Sequence, residues 1–291
     1  MKLQKPKFEE IRLDNPLAQI ERCARVCYKS EDKIAEGTAL KMINMLASKD
    51  HSAMLEHGTI YLKCHTDWKV IYPDGNEVHT YSHYSFDKIA KSPYSRSYTD
   101  SNSNICYITT NLRVIFENSR ELYDSIIEHK GEPYTDEKKG YSVCRYTDSK
   151  YFLLRPTIIF DMDRINSQSF CRHRVMSFAQ ESTRWCNYIK DKFGHEITIS
   201  VPCWMKKEDW DEFISDMEVY EQTYFKWIEK GYRAEEARIF LPFGLNTEIV
   251  MTGFVDGWQH FFQLRNDPHA HPSAQELAAP LEEYFNERNY Q

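Results

Sequence analysis

No apolar run in this 291-residue chain approaches the roughly 20 residues that a membrane span requires, and its mean hydropathy is −0.65. The opening stretch, MKLQKPKFEEIRL, lacks the apolar core of a secretory signal. Both absences lead to the expectation of a cytoplasmic protein. Glycine is scarce, with ten residues spread thinly and no GxGxxG, which excludes a Rossmann dinucleotide loop. An excess of basic charge is also lacking: 37 Lys and Arg against 44 Asp and Glu give a net charge of −7. General nucleic-acid and membrane-surface binders carry the opposite balance, so neither partner is expected. The eight cysteines (23, 27, 64, 106, 144, 171, 186 and 203) include no CxxC pair and read as free thiols, most of them core filler. Cys23 and Cys27 sit one helical turn apart without a second pair at zinc spacing. The pair His269 and His271, with His260, is metal-like in composition only. No metal site is expected.

What remains is a mixture of helical and strand patterns. Asn15-Pro16 opens a helix through Tyr28, and a second helix spans about 35–48. Strands are expected at 58–64, 106–109, 156–160 and 248–252, and helices at about 112–129 and 256–266, with a terminal helix from about 273. Trp210, Phe213, Met217, Tyr220, Tyr224 and Trp227 keep a 3-4-3-4-3 spacing, an amphipathic helix that Gly231 ends. Residues 66–104 and 131–150 are polar, and the first of these stretches is expected to be irregular. The expectation is a single α/β (α+β) domain over 1–291, a mixed sheet flanked by helices, with an insertion at about 66–150.

One segment does not fit a solvated surface. RHRVMSFAQESTRW, residues 172–185, sets Arg172, His173, Arg174 and Arg184 against a single carboxylate, Glu181. Surface charge runs usually mix signs. Two further arginines occupy apolar stripes: Arg265 follows Phe254, Trp258 and Phe261, and Arg238 shares a face with Ala234 and Leu241. A buried arginine needs a partner, because desolvating a guanidinium costs several kcal/mol. That partner is either a buried carboxylate or a bound anion. With the 172–185 cluster beside them, the arginines point to a phosphorylated small molecule, which a planar guanidinium grips in bidentate fashion.

The same segment resembles the RHRxxSxNxxSxRY signature of the flavin-dependent thymidylate synthases, matching at Arg172, His173, Arg174, Ser177, Ser182 and Arg184. Further blocks follow in that family's order: CARVCY (23–28), HSAMLEHGTIYL (51–62), EARIFLP (236–242) and TEIVMTGFVDGWQHFFQLR (247–265). YITTNLRVIFEN (107–118) is similar to long-form members. The chain departs from the pattern at Ala179, where the signature has Asn, at Gln180, where many members have Glu, at Ser169, where many have Gln or Glu, and at Phe254, where some have Asn.

The resemblance implies the fold of that family, distinct from Rossmann, and a methyltransferase that converts dUMP to dTMP. The carbon would come from methylenetetrahydrofolate, the hydride from FADH2, and NADPH would reduce the FAD. It implies a homotetramer. It assigns Arg265, His57 and Ser182 to catalysis, with Arg265 at the pyrimidine carbonyls and His57 beside the folate and nucleotide stack. Ser169, Gln180, Glu181, Ser182, Arg184, Arg238 and Arg265 would contact dUMP, with Ser182, Arg184 and Arg238 at its phosphate. Arg172, His173, Arg174, Phe254, His260 and His269 would contact FAD. Pro202-Cys203-Trp204 does not resemble the Pro-Cys-His site of the cysteine-dependent synthases, so activation of the pyrimidine is expected to be electrostatic. Two alternatives stand beside this reading: a nucleotide- or RNA-phosphate-binding protein without catalysis, and an inactive relative that binds nucleotide alone.

Overall fold

The computed structural model describes residues 1–49, 51–66, 68–71, 77–80 and 84–290, of which 68–71, 77–80 and 84–85 are described by their backbone alone. The chain forms two compact units. One comprises Met1–Ile11, Ala24–Asp32 and Pro156–Gln291; the other comprises Arg12–Cys23 and Lys33–Arg155. One of the points at which the chain passes from one unit to the other falls within the helix Pro16–Val26.

In the first unit, the segment TIIFDMD is rich in β-branched and apolar residues and forms the strand Thr157–Asp163, buried along almost all its length. It is one of the two inner strands of a four-stranded sheet, antiparallel throughout, in the order Ser177–Gln180, Asn246–Thr252, Thr157–Asp163, Lys7–Glu10. Phe160 stands opposite both Ile249 and Phe8. The helices Val255–Arg265 and Pro272–Glu287 supply Trp258, Phe261, Leu277, Leu281 and Phe285 to the core built on Ile158, Phe160, Met162 and Met251. Burying each such side chain contributes about 1.5–3 kcal/mol, and the Trp258 indole N–H is satisfied by the Pro156 carbonyl at 3.3 Å. A second cluster joins Tyr188, Ile197, Ile199 and Leu245 to the long helix Trp210–Glu229. On that helix Tyr224 is buried, whereas Tyr220, expected on the same apolar stripe, is exposed. A short pair, Lys2–Gln4 with Thr198–Ser200, is parallel.

The second unit is built on the strand Thr59–His65, whose Ile60, Leu62 and Cys64 are buried as their alternation predicts. The sheet order is Arg96–Asp100, Ile105–Asn111, Thr59–His65, Tyr141–Cys144, Tyr134–Asp136, all antiparallel. Strands from within 66–150 therefore pair on both sides of Thr59–His65. The stretch 66–104, expected to be irregular, contains the helix Tyr84–Lys91 and the strand Arg96–Asp100; its residues 67, 72–76 and 81–83 lie outside the described residues. The helix expected over 112–129 is two helices, Leu112–Asn118 and Arg120–Glu128. Ser119 breaks it: its backbone is extended, and its hydroxyl accepts from the Leu122 amide at 3.3 Å, capping the second helix. Asn15 likewise caps the helix at Pro16, accepting from the Leu17 and Ala18 amides.

Mixed helix and sheet, with helices packed on the sheets, matches the fold class read from the sequence. The large sheets are antiparallel, so the described residues contain no βαβ unit of the Rossmann kind.

Gly58 leads into the central strand of the second unit. A Cβ there would lie 2.5 Å from Ile20 Cδ1 and 2.9 Å from the Pro16 carbonyl oxygen, which cannot retreat without moving the helix. Gly58→Ala should destabilise the protein by about 1–3 kcal/mol, as overpacking does. Urea unfolding measures this, and an unchanged midpoint would contradict the close approach.

Candidate functional site

Phe261 and Trp258 anchor the helix Val255–Arg265 on the sheet, and this anchoring delivers its last residue, Arg265, to the end of the helix Arg164–Phe170. Arg265 is half-buried. Its Nη2 donates to the Ser169 carbonyl at 2.7 Å and its Nε to His173 Nε2 at 2.9 Å. Among the described residues no carboxylate lies within ion-pair distance of it. Of the two partners open to an inward arginine, the buried carboxylate is therefore not the one present. Burial, followed by the nearby Arg172, pulls the Arg265 pKa below its usual value, but a guanidinium remains charged at any working pH.

His173 is 4% exposed, with Phe261 at 5.0 Å and His260 at 5.9 Å between ring centroids. Burial, then the charges of Arg265 and His260, push its pKa down to about 4. The imidazole is thus neutral at pH 7. Because arginine can only donate, Nε2 is the acceptor and the ring proton sits on Nδ1. That Nδ1 is buried and has no partner among the described residues. A buried donor left open is costly unless something accepts from it.

Arg172, His173, His260, Arg265 and the backbone of Ser169 therefore form one group. The Ser169 hydroxyl turns away and donates to the Asn166 carbonyl at 2.7 Å, so this residue serves Arg265 through its main chain. Arg174 is exposed, and Phe254 is buried at the start of the Val255–Arg265 helix. His269 lies beyond that helix, exposed and bonded to Asp267.

A second group forms at the turn after the edge strand Ser177–Gln180. Ser182 Oγ accepts from the Arg184 amide at 3.3 Å, and Arg184 Nη2 reaches Glu235 at 3.4 Å. Glu235 belongs to the short helix Ala234–Ala237, directly before Arg238. Arg238 itself is exposed, which corrects the expectation of an inward arginine. The α-helix ends at Ala237 and Arg238–Phe240 continues as a 3-10 turn, which rotates Arg238 out of the face it would share with Ala234 and Leu241.

Gln180 and Glu181 point inward. Gln180 Nε2 donates to Ser167 Oγ at 2.7 Å, and Glu181, 4% exposed, accepts from the Tyr188 hydroxyl at 2.9 Å. His57 is fully buried and belongs to the other unit. Lys29, absent from the sequence-based set, reaches Glu181 at 3.7 Å and pairs with Glu248. The available signal was Glu248 itself, a carboxylate in the middle of an otherwise buried strand.

Residues 155–288 match the family model of the thymidylate synthase complementing proteins. Among curated proteins, the chain is similar to flavin-dependent thymidylate synthases from Pyrococcus furiosus (26% identity; 59% of this chain, 69% of that one), Geobacter sulfurreducens (32%; 36% and 44%) and Sulfurisphaera tokodaii (38%; 36% and 39%). The last two matches span less than half of those relatives' own lengths. The resemblance read from the arginine-rich segment is thus borne out. A UMP/dUMP methylase from Streptomyces cacaoi aligns over 99% of this chain and 92% of its own, at 12% identity and TM-score 0.43. That likeness is too loose to carry an argument.

The low pKa of His173 makes folding sensitive to pH. An unfolded chain takes up a proton at its usual value, 6.5, whereas the folded site resists until about 4. The folded state therefore loses stability as pH falls from 6.5 towards 4, with no further loss from this group below that. His173→Gln should remove this part of the slope in urea titrations at pH 7 and pH 5. An unaltered slope would show that the imidazole is not held neutral.

Proposed function

We propose that this chain is a flavin-dependent thymidylate synthase, converting dUMP to dTMP with methylenetetrahydrofolate as carbon donor and NADPH as reductant. The observation that carries this reading is Arg265: a half-buried guanidinium, held by two uncharged acceptors, whose charge no carboxylate among the described residues neutralises. Set beside a pyrimidine, that charge favours the electron-rich form in which C5 attacks the methylene carbon. Preorganised cations of this kind are usually the largest single contribution to such catalysis.

The donors around Arg265 suit FAD: the buried Nδ1–H of His173 calls for an acceptor such as a ring carbonyl, and the exposed Arg172 and Arg174 suit phosphate. When bound, FAD supplies the hydride that completes the methyl group. His173, kept neutral, holds Arg265 in orientation without adding a competing charge. Ser182 and Arg184, with Arg238 on the adjoining turn, bind the dUMP phosphate at about 1.5–3 kcal/mol per charge-assisted bond. An incoming phosphate displaces Glu235 from Arg184. Phe254, His260 and His269 complete the FAD-contacting set in this reading, and Ser169, Gln180 and Glu181 act on dUMP chiefly by shaping the pocket wall. His57 is assigned to the folate side.

Electrostatic activation agrees with the state of the cysteines. Cys203 and Cys171, the two exposed thiols, both have pKa values raised by burial of the sulfur, and Glu276 adds to the shift at Cys203. Neither is poised as a thiolate nucleophile. No described helix is long and apolar enough to cross a membrane. A cytoplasmic homotetramer acting as a single catalytic domain belongs to the same proposal.

After mixing with FAD and desalting, the protein should retain a flavin spectrum, and its NADPH oxidation should respond to dUMP. A colourless protein indifferent to dUMP would overturn the reading. Arg265→Ala should lower kcat by about 10²–10³, the usual cost of removing one such donor, without a matching loss of FAD. Undiminished turnover to dTMP would remove Arg265 from the mechanism.

A further inference from the structure

The loop that follows the helix Pro16–Val26 is tied to four points of the arginine-rich segment. The Cys27 carbonyl accepts from the Ser182 amide at 3.0 Å, and the Cys27 thiol meets the Gln180 backbone. Tyr28 packs its ring on Trp185, with centroids 6.0 Å apart. Lys29 closes the set by pairing with Glu181 and Glu248. Its own backbone is strained for a lysine, at φ 47°, and is braced by Lys192, whose ammonium donates to the Tyr28 and Lys29 carbonyls at 3.1 Å each.

Charge explains why a lysine occupies this place. Glu181, one residue past the strand Ser177–Gln180, lies beside Glu248 of the neighbouring strand, and the Glu181 amide donates to the Glu248 carbonyl at 2.9 Å. Both carboxylates are largely buried, and Asp161 is close enough to raise the pKa of Glu248 further. The ammonium of Lys29 sits between the two glutamates. Burial works against its charge, but the two glutamates more than offset that, and Lys29 titrates above its usual value. Without it, Glu181 and Glu248 would repel across the backbone hydrogen bond that sets the start of the Ser182 turn.

We infer that Lys29 is a positioning residue for the anion-binding turn Ser182–Arg184, acting through Glu181 and Glu248. The inference rests on the reading of that turn as the dUMP phosphate site. The Lys29 ammonium is spent on the two glutamates. It fixes where the Ser182 hydroxyl, the turn amides and Arg184 stand, and so governs nucleotide affinity and not the chemical step.

The test uses the full-length FAD-bound enzyme with Lys29→Met, Lys29→Arg and Glu248→Gln, measuring kcat, KM for dUMP and for methylenetetrahydrofolate, and equilibrium binding of dUMP. Lys29→Met should raise KM and Kd for dUMP by about tenfold or more while kcat stays within about twofold, because only binding is loosened. KM for methylenetetrahydrofolate should not move, and Lys29→Arg should restore most of the dUMP affinity. Should Lys29→Met not fold, Glu248→Gln, which weakens the same tie and keeps the side-chain shape, should shift KM for dUMP in the same direction. A uniform fall in all parameters, or dUMP affinity unchanged in both Lys29→Met and Glu248→Gln while wild-type protein binds dUMP normally, would overturn the positioning role alone. Wild-type protein that does not bind dUMP would overturn the reading of the turn, and this inference with it.

Discussion

A guanidinium on an apolar helix face has to be stabilised by something, and the choice of partner decides what the site can do. At Arg265 the partners are a main-chain carbonyl and a neutral imidazole. Both satisfy N–H groups, and neither cancels the charge. This holds only while His173 stays unprotonated, which its burial and the surrounding positive groups ensure. The arrangement depends in turn on the sheet core. Phe170 packs edge to face on both Phe160 and Phe261, and the three join the strand Thr157–Asp163, the helix that follows it and the Val255–Arg265 helix. Ser169, His173 and Arg265 are thereby brought within hydrogen-bonding distance.

The arginine-rich segment behaves differently along its length. Its middle, Ser177–Gln180, is an edge strand held by pairing with Asn246–Thr252. Its inward side chains are spent on the protein: Gln180 on Ser167, and Glu181 on Tyr188 and Lys29. Its ends, with Arg172, Arg174 and Arg184, remain exposed. An ionic cluster such as Lys29, Glu181 and Glu248 is no more stabilising than apolar packing would be, because desolvation consumes most of the Coulomb energy. What it offers is one defined geometry for the turn that follows.

Much of this was legible in the sequence because the signals were local. Apolar spacing by three and four located the Val255–Arg265 helix and exposed Arg265 as an exception on its stripe. Alternation located Thr59–His65, and Asn15-Pro16 marked a helix start that the Asn15 side chain does cap. Reading failed where geometry changed within an element. Arg238 left its expected face when an α-helix tightened into a 3-10 turn. Ser119, unremarkable in a helical pattern, ended one helix and capped the next. The strand Arg96–Asp100 was missed because a polar, half-exposed strand carries little hydrophobic periodicity.

The sequence by itself determined the mixture of helices and strands, the concentration of positive charge at 172–185 and the misfit of Arg265, since each follows from residue type and spacing over a few turns of chain. Only the tertiary structure decided that Arg265 meets His173 and not a carboxylate, that Ser169 acts through its carbonyl, and that Lys29 lies between Glu181 and Glu248. Those pairings join segments remote in the chain. Side-chain spacing cannot specify them, because they depend on how the helices seat on the sheet and on the register of its strands.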